Sequence, residues 1–159
     1  MAYNRQAAAD FARRWWNSAN PAYTYFQVDC TNFVSQCLHA GGAPMRGYPN
    51  RSQGWWLQGG KWSFSWSIAH SLRWYLDTSK QGLRAKRVYS PYELEIGDVI
   101  FYDFEGDGRI NHSTIVTSII DGEPHVHAHT SNSADRPYHY RDSSAYTENI
   151  EYYYYHILE

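Results

Sequence analysis

The apolar positions in the first half of the chain repeat at the 3.6-residue period of an amphipathic helix. They predict three helices: one over residues 4–17 capped by Asn4, one over residues 29–41, and one that opens at Ser67. The positions expected to face the core are Ala8, Phe11, Ala12 and Trp15, then Phe33, Val34, Cys37 and Leu38, then Ile68, Leu72, Tyr75 and Leu76.

The second half of the chain has the pattern of short strands joined by turns. The predicted strands are residues 83–89, 99–102, 110–120, 125–130 and 150–157. Gly and Asp residues at 105–108 and 121–122 supply hairpin turns, whereas residues 131–149 are polar and poorly periodic. Because the helices precede the strands, we expect an α+β fold with N-terminal helices packed on an antiparallel sheet, in one domain of residues 1–159.

A long segment between the second and third helices, residues 43–66, has no period of its own and is rich in Gly, Pro and Trp. Long loops of this kind often serve function, and this one could form the wall of a substrate groove. It could equally be a loop that its tryptophans pin to the core. On the first interpretation, Trp55 and Trp56 contact the substrate.

Composition excludes several classes of protein. The 159 residues suit one domain, and a net charge of −2 gives no basic surface for nucleic acid. No apolar run is long enough to span a membrane, and the first 20 residues lack the apolar core of an export signal. The 7 Trp and 15 Tyr indicate either a sticky groove or a Tyr-rich antiparallel sheet.

Cys30 stands at the start of the second predicted helix, behind a candidate N-cap, Asp29. Free backbone N–H groups and the helix dipole favour a thiolate there, which makes Cys30 a candidate nucleophile. Cys37 falls on the apolar stripe and resembles an ordinary core residue. Two helical turns separate the two sulfurs by about 10 Å, which is beyond the reach of a disulfide, so we expect two free thiols.

Histidines are the candidate bases among the polar residues. His112 opens a predicted strand, at the sheet rim where the start of a helix could meet it. His125, His127 and His129 alternate, so they are predicted to share one face of the next strand, where one of them could orient His112. Three histidines on one face could also bind a metal ion. Residues two apart on a strand are separated by about 6.5–7 Å, however, and no further acidic or histidine ligand lies at the spacing of a metal motif, so the sequence argues against a metal site.

An acidic turn at residues 103–108 resembles the first half of a calcium-binding loop. Thr114 occupies the position where such a loop requires a bidentate Glu, and the flanking segments are predicted strands. The sequence therefore favours an acidic hairpin turn without a metal ion.

Five short motifs carry a resemblance to a known family. They are Asp-Cys-Thr-Asn-Phe-Val-Ser-Gln at 29–36, Ala-Gly-Gly at 40–42, Gly-Asp-Val-Ile at 97–100, His-Ser at 112–113 and His-Thr at 129–130. In this order the chain resembles the bacterial putative amidase domain, a relative of NlpC-type and CHAP peptidases, the papain-like cell-wall hydrolases. The resemblance covers nearly the whole chain, and the first motif is the most specific.

The resemblance implies a papain-like fold and a catalytic triad. Cys30 would be the nucleophile, and His112 the general base and later the general acid. His129 would be the third, orienting residue because it matches the His-Thr pair of the family, with His127 as the alternative. No cofactor is implied.

The same resemblance implies an oxyanion hole formed by the backbone N–H of Cys30 and a neighbouring donor, with Tyr23 or Tyr25 as candidates. Tyr23, Trp55 and Trp56 are the residues expected to contact substrate. That substrate would be a peptide or a peptidoglycan fragment.

The predicted reaction is amide hydrolysis through a Cys30 thioester, in bacterial cell-wall peptidoglycan. We expect a monomer, and the family suggests an extracellular or cell-wall-associated site of action. Two alternatives stay open: an acyltransferase or transpeptidase that resolves the same thioester with an amine, and a non-catalytic binding module with an aromatic groove.

Overall fold

Four α-helices cover one side of the molecule in the computed structural model, which describes residues 2–159. They are α1 (Arg5–Trp15), α2 (Cys30–Ala40), α3 (Phe64–Ser67) and α4 (Ala69–Thr78). The third predicted helix is α4, which begins at Ala69 and not at Ser67, because Ile68 adopts an extended backbone. Ile68, predicted to face the core, is 47% exposed, and α3 lies largely within residues 43–66, for which no regular structure was predicted. The predicted first helix is confirmed: Asn4 accepts a hydrogen bond from the Ala7 N–H at 2.9 Å.

The eight strands form a two-stranded ribbon, which precedes α3 in the chain, and a six-stranded sheet, which follows α4. The ribbon pairs β1 (Leu57–Gln58) with β2 (Lys61–Trp62), and the sheet contains β3 (Ala85–Val88), β4 (Val99–Asp103), β5 (His112–Ile120), β6 (Glu123–Ala128), β7 (Ser133–Pro137) and β8 (Glu151–Ile157). All pairs are antiparallel, in the order β3-β8-β4-β5-β6-β7.

The sheet departs from the predicted meander in two places. The last strand, β8, lies between β3 and β4 and pairs with both. β7 falls within residues 131–149, for which the sequence predicted no regular structure, and it pairs with β6 at the sheet edge. Only Ser133 of β7 is fully buried, so this strand has no apolar alternation from which to predict it.

The two faces of the sheet bury different clusters of apolar side chains. The larger cluster lies between the sheet and the helices, and its sheet members are Val99, Phe101, Ile115, Tyr155 and Ile157. The smaller cluster lies on the opposite face, and it consists of Val88, Leu94, Ile100, Tyr102, Phe104, Val116, Val126, Tyr140 and Tyr154. Alternate residues along β4 and β5 thus serve two separate cores.

One buried carboxylate joins the beginning of the fold to its end. Asp98 accepts hydrogen bonds from Arg5 Nη1 at 2.7 Å, His156 Nδ1 at 3.0 Å and the Ile157 N–H at 2.9 Å. Its side chain is wholly inaccessible to solvent, so the positive charge of Arg5 offsets the cost of burying it. α1 is thereby held against β8.

A search of residues 2–159 for a helix long and apolar enough to cross a membrane finds none.

Candidate active site

Cys30 is the first residue of α2, and 8% of its surface is exposed. Its Sγ lies 3.7 Å from Thr31 Oγ1, which in turn lies 3.0 Å from Ser113 Oγ. Ser113 is the second residue of β5 and follows His112. The beginning of α2 and the beginning of β5 are therefore in direct contact.

Asp29 precedes α2 but does not cap it, which corrects the predicted role of its side chain. The carboxylate instead accepts hydrogen bonds from His129 Nδ1 at 2.8 Å and Thr130 Oγ1 at 3.2 Å. Within residues 2–159, the backbone N–H groups of Cys30, Thr31 and Asn32 have no hydrogen-bond acceptor. The first turn of α2 thus keeps donors available for an anion beside the sulfur.

His112 sits in an aromatic enclosure on the side of the sheet that carries the smaller cluster. Its ring centre lies 5.5 Å from that of Tyr102, 6.1 Å from that of Phe104 and 5.2 Å from that of Tyr140. Burial, helped by the nearby charge of Arg136, lowers the pKa of His112 to about 3. The imidazole is therefore neutral at physiological pH, and burial disfavours its protonation.

Tyr140 is the hydrogen-bond partner of this imidazole: its Oη lies 2.9 Å from His112 Nε2. Burial, with a smaller contribution from the nearby Cys30, raises the pKa of Tyr140 to about 12, whereas Ser133 and Arg136 act in the opposite direction. The phenol thus stays protonated and lies within electrostatic reach of both Cys30 and His112. The sequence analysis missed Tyr140, because nothing in the polar run around it distinguishes one tyrosine from its neighbours.

His129 does not orient His112 in this structure, which corrects its predicted role as the third residue of the triad. Nδ1 of His129 lies 2.8 Å from Asp29 Oδ2, and Nε2 lies 2.6 Å from the Trp15 carbonyl oxygen. The ring also stacks on Phe33 of α2, with 4.0 Å between ring centres. Both ring nitrogens are hydrogen-bonded next to the N-terminus of α2, so neither is available to bond the imidazole of His112.

The alternative third residue, His127, is likewise engaged elsewhere. Its Nδ1 lies 2.7 Å from Thr117 Oγ1, and burial lowers its pKa. His125 bonds the carbonyl of Glu123 instead, and β6 ends at Ala128, so His129 lies beyond the strand. The register shifts in the pairing of β6 with its neighbours place the extra residues on β5 and β7, so β6 itself is regular, and its histidines differ in their partners.

No group of three or more His, Cys, Asp or Glu side chains in residues 2–159 is arranged to hold a metal ion. Asp103 accepts hydrogen bonds from the Gly106 N–H at 2.9 Å and the Gly108 N–H at 2.7 Å. The acidic segment after β4 thus forms a turn closed by its own carboxylate.

Two polar clefts meet at Thr130, which lines both. The cleft on the His112 side, of about 260 Å³, is lined by Phe104, Asn111, His112, Thr130, Ser131, Arg136, Tyr140, Ser143, Ser144 and Ala145. The cleft on the Asp29 side, of about 330 Å³, is lined by Ser18, Ala19, Tyr25, Phe26, Gln27, Asp29, His129, Thr130 and Asn132. Together they offer hydrogen-bonding groups on both sides of the start of α2.

The prediction that aromatic residues contact substrate is wrong for two of them. Trp55 and Trp56 are fully buried, and their indole N–H groups donate to Ser35 Oγ and the Asn50 carbonyl. They pin the loop of residues 43–66 to the core, as the second interpretation of that loop proposed. Tyr23 also packs inward: it is half-buried and stacks on Trp66 with 6.1 Å between ring centres.

Comparison with known proteins identifies the family. A sequence model of the putative amidase domain matches residues 2–155. The chain belongs to this family. No solved structure matches the amidase domain described here. Membership supports a general amidase function, and hence hydrolase activity, for the chain.

Two Bacillus subtilis (strain 168) proteins are similar to this amidase domain. The uncharacterized protein YhbB is 56% identical over 158 residues, which are 99% of this chain and 51% of YhbB. The uncharacterized protein YjcM is 30% identical over 147 residues, which are 87% of this chain and 33% of YjcM. The chain thus spans about half the length of the first relative and a third of the second.

Proposed function

We propose that the chain is a papain-like cysteine amidase in which Cys30 is the nucleophile and His112 is the general base. The observation that carries the proposal is the 3.0 Å contact between Thr31 Oγ1 and Ser113 Oγ, because it joins the residues that directly follow Cys30 and His112. The start of the helix that carries the thiol and the start of the strand that carries the imidazole thereby meet at the boundary between the helices and the sheet, and Tyr140, which bonds His112 Nε2, lies close enough to Cys30 to be influenced by its charge.

The electrostatics of the site bear on this assignment. Burial keeps the ring of His112 neutral, which is the state from which a general base starts, and the same burial makes it a weak base until a thiolate at Cys30 favours its protonated form. The uncapped first turn of α2 supplies the Cys30 N–H to the oxyanion that forms on the substrate carbonyl. Tyr25 lines the adjacent cleft and is 70% exposed, so it is the better of the two tyrosines predicted as a second donor.

The reaction follows from these roles. His112 takes the thiol proton as Sγ of Cys30 attacks the amide carbon, and a tetrahedral oxyanion forms. The C–N bond then breaks, the amine leaves with the proton from His112, and a thioester remains. A water molecule gives one proton to His112 and adds to the thioester. The acid is released as the proton returns to the sulfur.

The proposed substrate is an amide bond in a peptidoglycan stem peptide or cross-link, as in the NlpC-type and CHAP peptidases. The two clefts that meet at Thr130 support a substrate that extends on both sides of the scissile bond. The cleft on the His112 side is lined mainly by hydroxyl, amide and charged groups, which suit the polar backbone of a peptide, and Tyr25 and Phe26 add apolar surface to the cleft on the Asp29 side.

Digestion of purified peptidoglycan tests the proposal. The wild-type chain should release fragments that carry one new amine and one new carboxylate, which mass spectrometry identifies. Cys30→Ala should release none while keeping its circular dichroism spectrum. Cys37→Ala is the matched control, because Cys37 is fully buried in α2 and should leave digestion intact. Equal digestion by Cys30→Ala and wild type would overturn the proposal.

A further inference from the structure

Tyr140 holds an unusual position against the proposed base. It is 3% exposed, and its Oη is the hydrogen-bond partner of His112 Nε2 at 2.9 Å. Its backbone lies in the left-handed region, with φ of 59°, which is unfavourable for a residue with a side chain. Strain of this kind persists where surrounding contacts hold it, and it concentrates at functional sites.

Arg136 is the contact that fixes the ring of Tyr140. The guanidinium carbon lies 3.9 Å from the ring centre. The guanidinium is itself held by Ser133 Oγ at 3.1 Å and by Asp142 Oδ1 at 3.2 Å. A cation at this distance over an aromatic face is attractive, so β7 holds the phenol against His112.

The hydrogen bond between Tyr140 and His112 determines which ring nitrogen can act as base. A neutral imidazole carries one N–H and one lone pair. If Nε2–H donates to the phenol oxygen, Nδ1 keeps its lone pair and can take a proton. If the phenol donates to Nε2, the ring proton sits on Nδ1 and that nitrogen is lost as a base.

We propose that Tyr140 is the positioning residue of the site: it accepts the Nε2–H of His112, and so fixes the tautomer whose Nδ1 receives the thiol proton. This proposal rests on the proposed function and gives Tyr140 the role that His129 was predicted to fill. The phenol O–H is then free to donate into the cleft that Tyr140 and His112 line together. The aromatic rings of Tyr102 and Phe104 enclose the imidazole and exclude competing donors.

Tyr140→Phe removes the hydroxyl and keeps the ring that Arg136 covers. Tyr102→Phe is the matched control: Tyr102 is also buried beside His112, but its hydroxyl bonds Thr114 Oγ1 and the Tyr138 carbonyl. Two-bond ¹H–¹⁵N correlation spectra of the histidine rings, with the His112 signal assigned from His112→Gln, report the tautomer directly. Turnover and the rate of Cys30 alkylation by iodoacetamide are measured on the same variants.

We expect the Nε2–H tautomer in the wild type and in Tyr102→Phe, and a mixture of tautomers in Tyr140→Phe. In Tyr140→Phe, kcat should fall by about 10- to 100-fold with little change in KM, a part of the 10²- to 10⁴-fold that positioned proton transfer contributes. An Nδ1–H tautomer in the wild type, or equal kcat in the two Phe variants, would overturn the role of Tyr140. Failure of the wild type to cut any amide would instead overturn the proposed function, and the tautomer would still be readable.

Discussion

Thr31 Oγ1 and Ser113 Oγ lie 3.0 Å apart, and both side chains are almost wholly buried. This bond joins the first turn of α2 to the second residue of β5, and so holds together the two elements that begin at Cys30 and His112. Thr31→Val keeps the shape of the side chain but leaves Ser113 without its partner. We expect unfolding in urea to show a loss of about 1–3 kcal/mol, because a buried polar group becomes unsatisfied.

The same variant should also lose more turnover than its folded fraction explains, because the starts of α2 and β5, which carry Cys30 and His112, are no longer bonded to each other. Thr31→Ser keeps the hydroxyl and is the control, which should retain most activity. Wild-type kcat in folded Thr31→Val would mean that the bond serves stability alone.

The two thiols should differ sharply toward iodoacetamide. Burial raises the pKa of Cys37 well above its usual range, and no part of its surface is exposed. Cys30 lies at the N-terminus of α2, where 8% of its surface is exposed and reagent can reach the sulfur. We expect alkylation of Cys30 alone in the native protein, and of both cysteines in urea, read by peptide mass spectrometry. Native labelling of Cys37 at a comparable rate would contradict this.

Acid should destabilise the fold through His112. Its pKa is about 3 when folded, below the ordinary value near 6.5 in the unfolded chain, so only the unfolded chain gains a proton between these values. The stabilisation is complete above about pH 6.5 and is lost as pH falls toward 3. The slope attributable to this one group is at most about 1.4 kcal/mol per pH unit.

Urea titrations at pH 7.5, 5.5 and 4.5 measure this effect. His112→Gln removes the titrating group, so its stability should depend less on pH across the same range. His127, whose pKa burial also lowers, contributes in the same direction and remains in both proteins. An unchanged slope in His112→Gln would show that His112 is not the group responsible.

His129 should prove to be structural. His129→Ala leaves the buried carboxylate of Asp29 without its 2.8 Å partner and removes the ring that stacks on Phe33. We expect a loss of about 3–5 kcal/mol in urea unfolding, as for other broken buried charge pairs. His125→Ala is the comparison, since His125 bonds only a nearby carbonyl and should cost far less.

Activity separates the two possible roles of His129. If it only supports α2, turnover per folded molecule should stay within a few-fold of wild type at a temperature where the variant is folded. A loss as large as that of His112→Gln would restore His129 to the catalytic machinery.

Periodicity predicted α1 because its burial is one-sided, whereas α2, β4 and β5 are buried on both sides and were predicted from their apolar residues and the turn residues that flank them. α1 and α2 follow their apolar stripes, and β4, β5 and β8 lie close to their predicted bounds. β7 could not be found this way, because its residues are mostly exposed and its pairing with β6 depends on backbone hydrogen bonds. The insertion of β8 between β3 and β4 is a tertiary arrangement that local pattern does not encode.

The candidate site was predictable where it depends on the ends of elements and not where it depends on side-chain partners. Cys30 at the start of α2 and His112 at the start of β5 are where the pattern predicts them. The partner of His112 was missed because Tyr140 comes from a loop 28 residues away in sequence. Trp55 was misjudged because sequence cannot distinguish an indole that lines a groove from one that fills the core.

The cluster at Asp98 limits how far the domain can be shortened. Its carboxylate needs the guanidinium of Arg5 at one extreme of the fold and the backbone of Ile157 at the other. A fragment that lacks either residue would leave the buried Asp98 carboxylate without one of its partners, independently of the site at Cys30. Excised versions of this domain, alone or grafted into another protein, must therefore retain residues 5–157 as one indivisible unit.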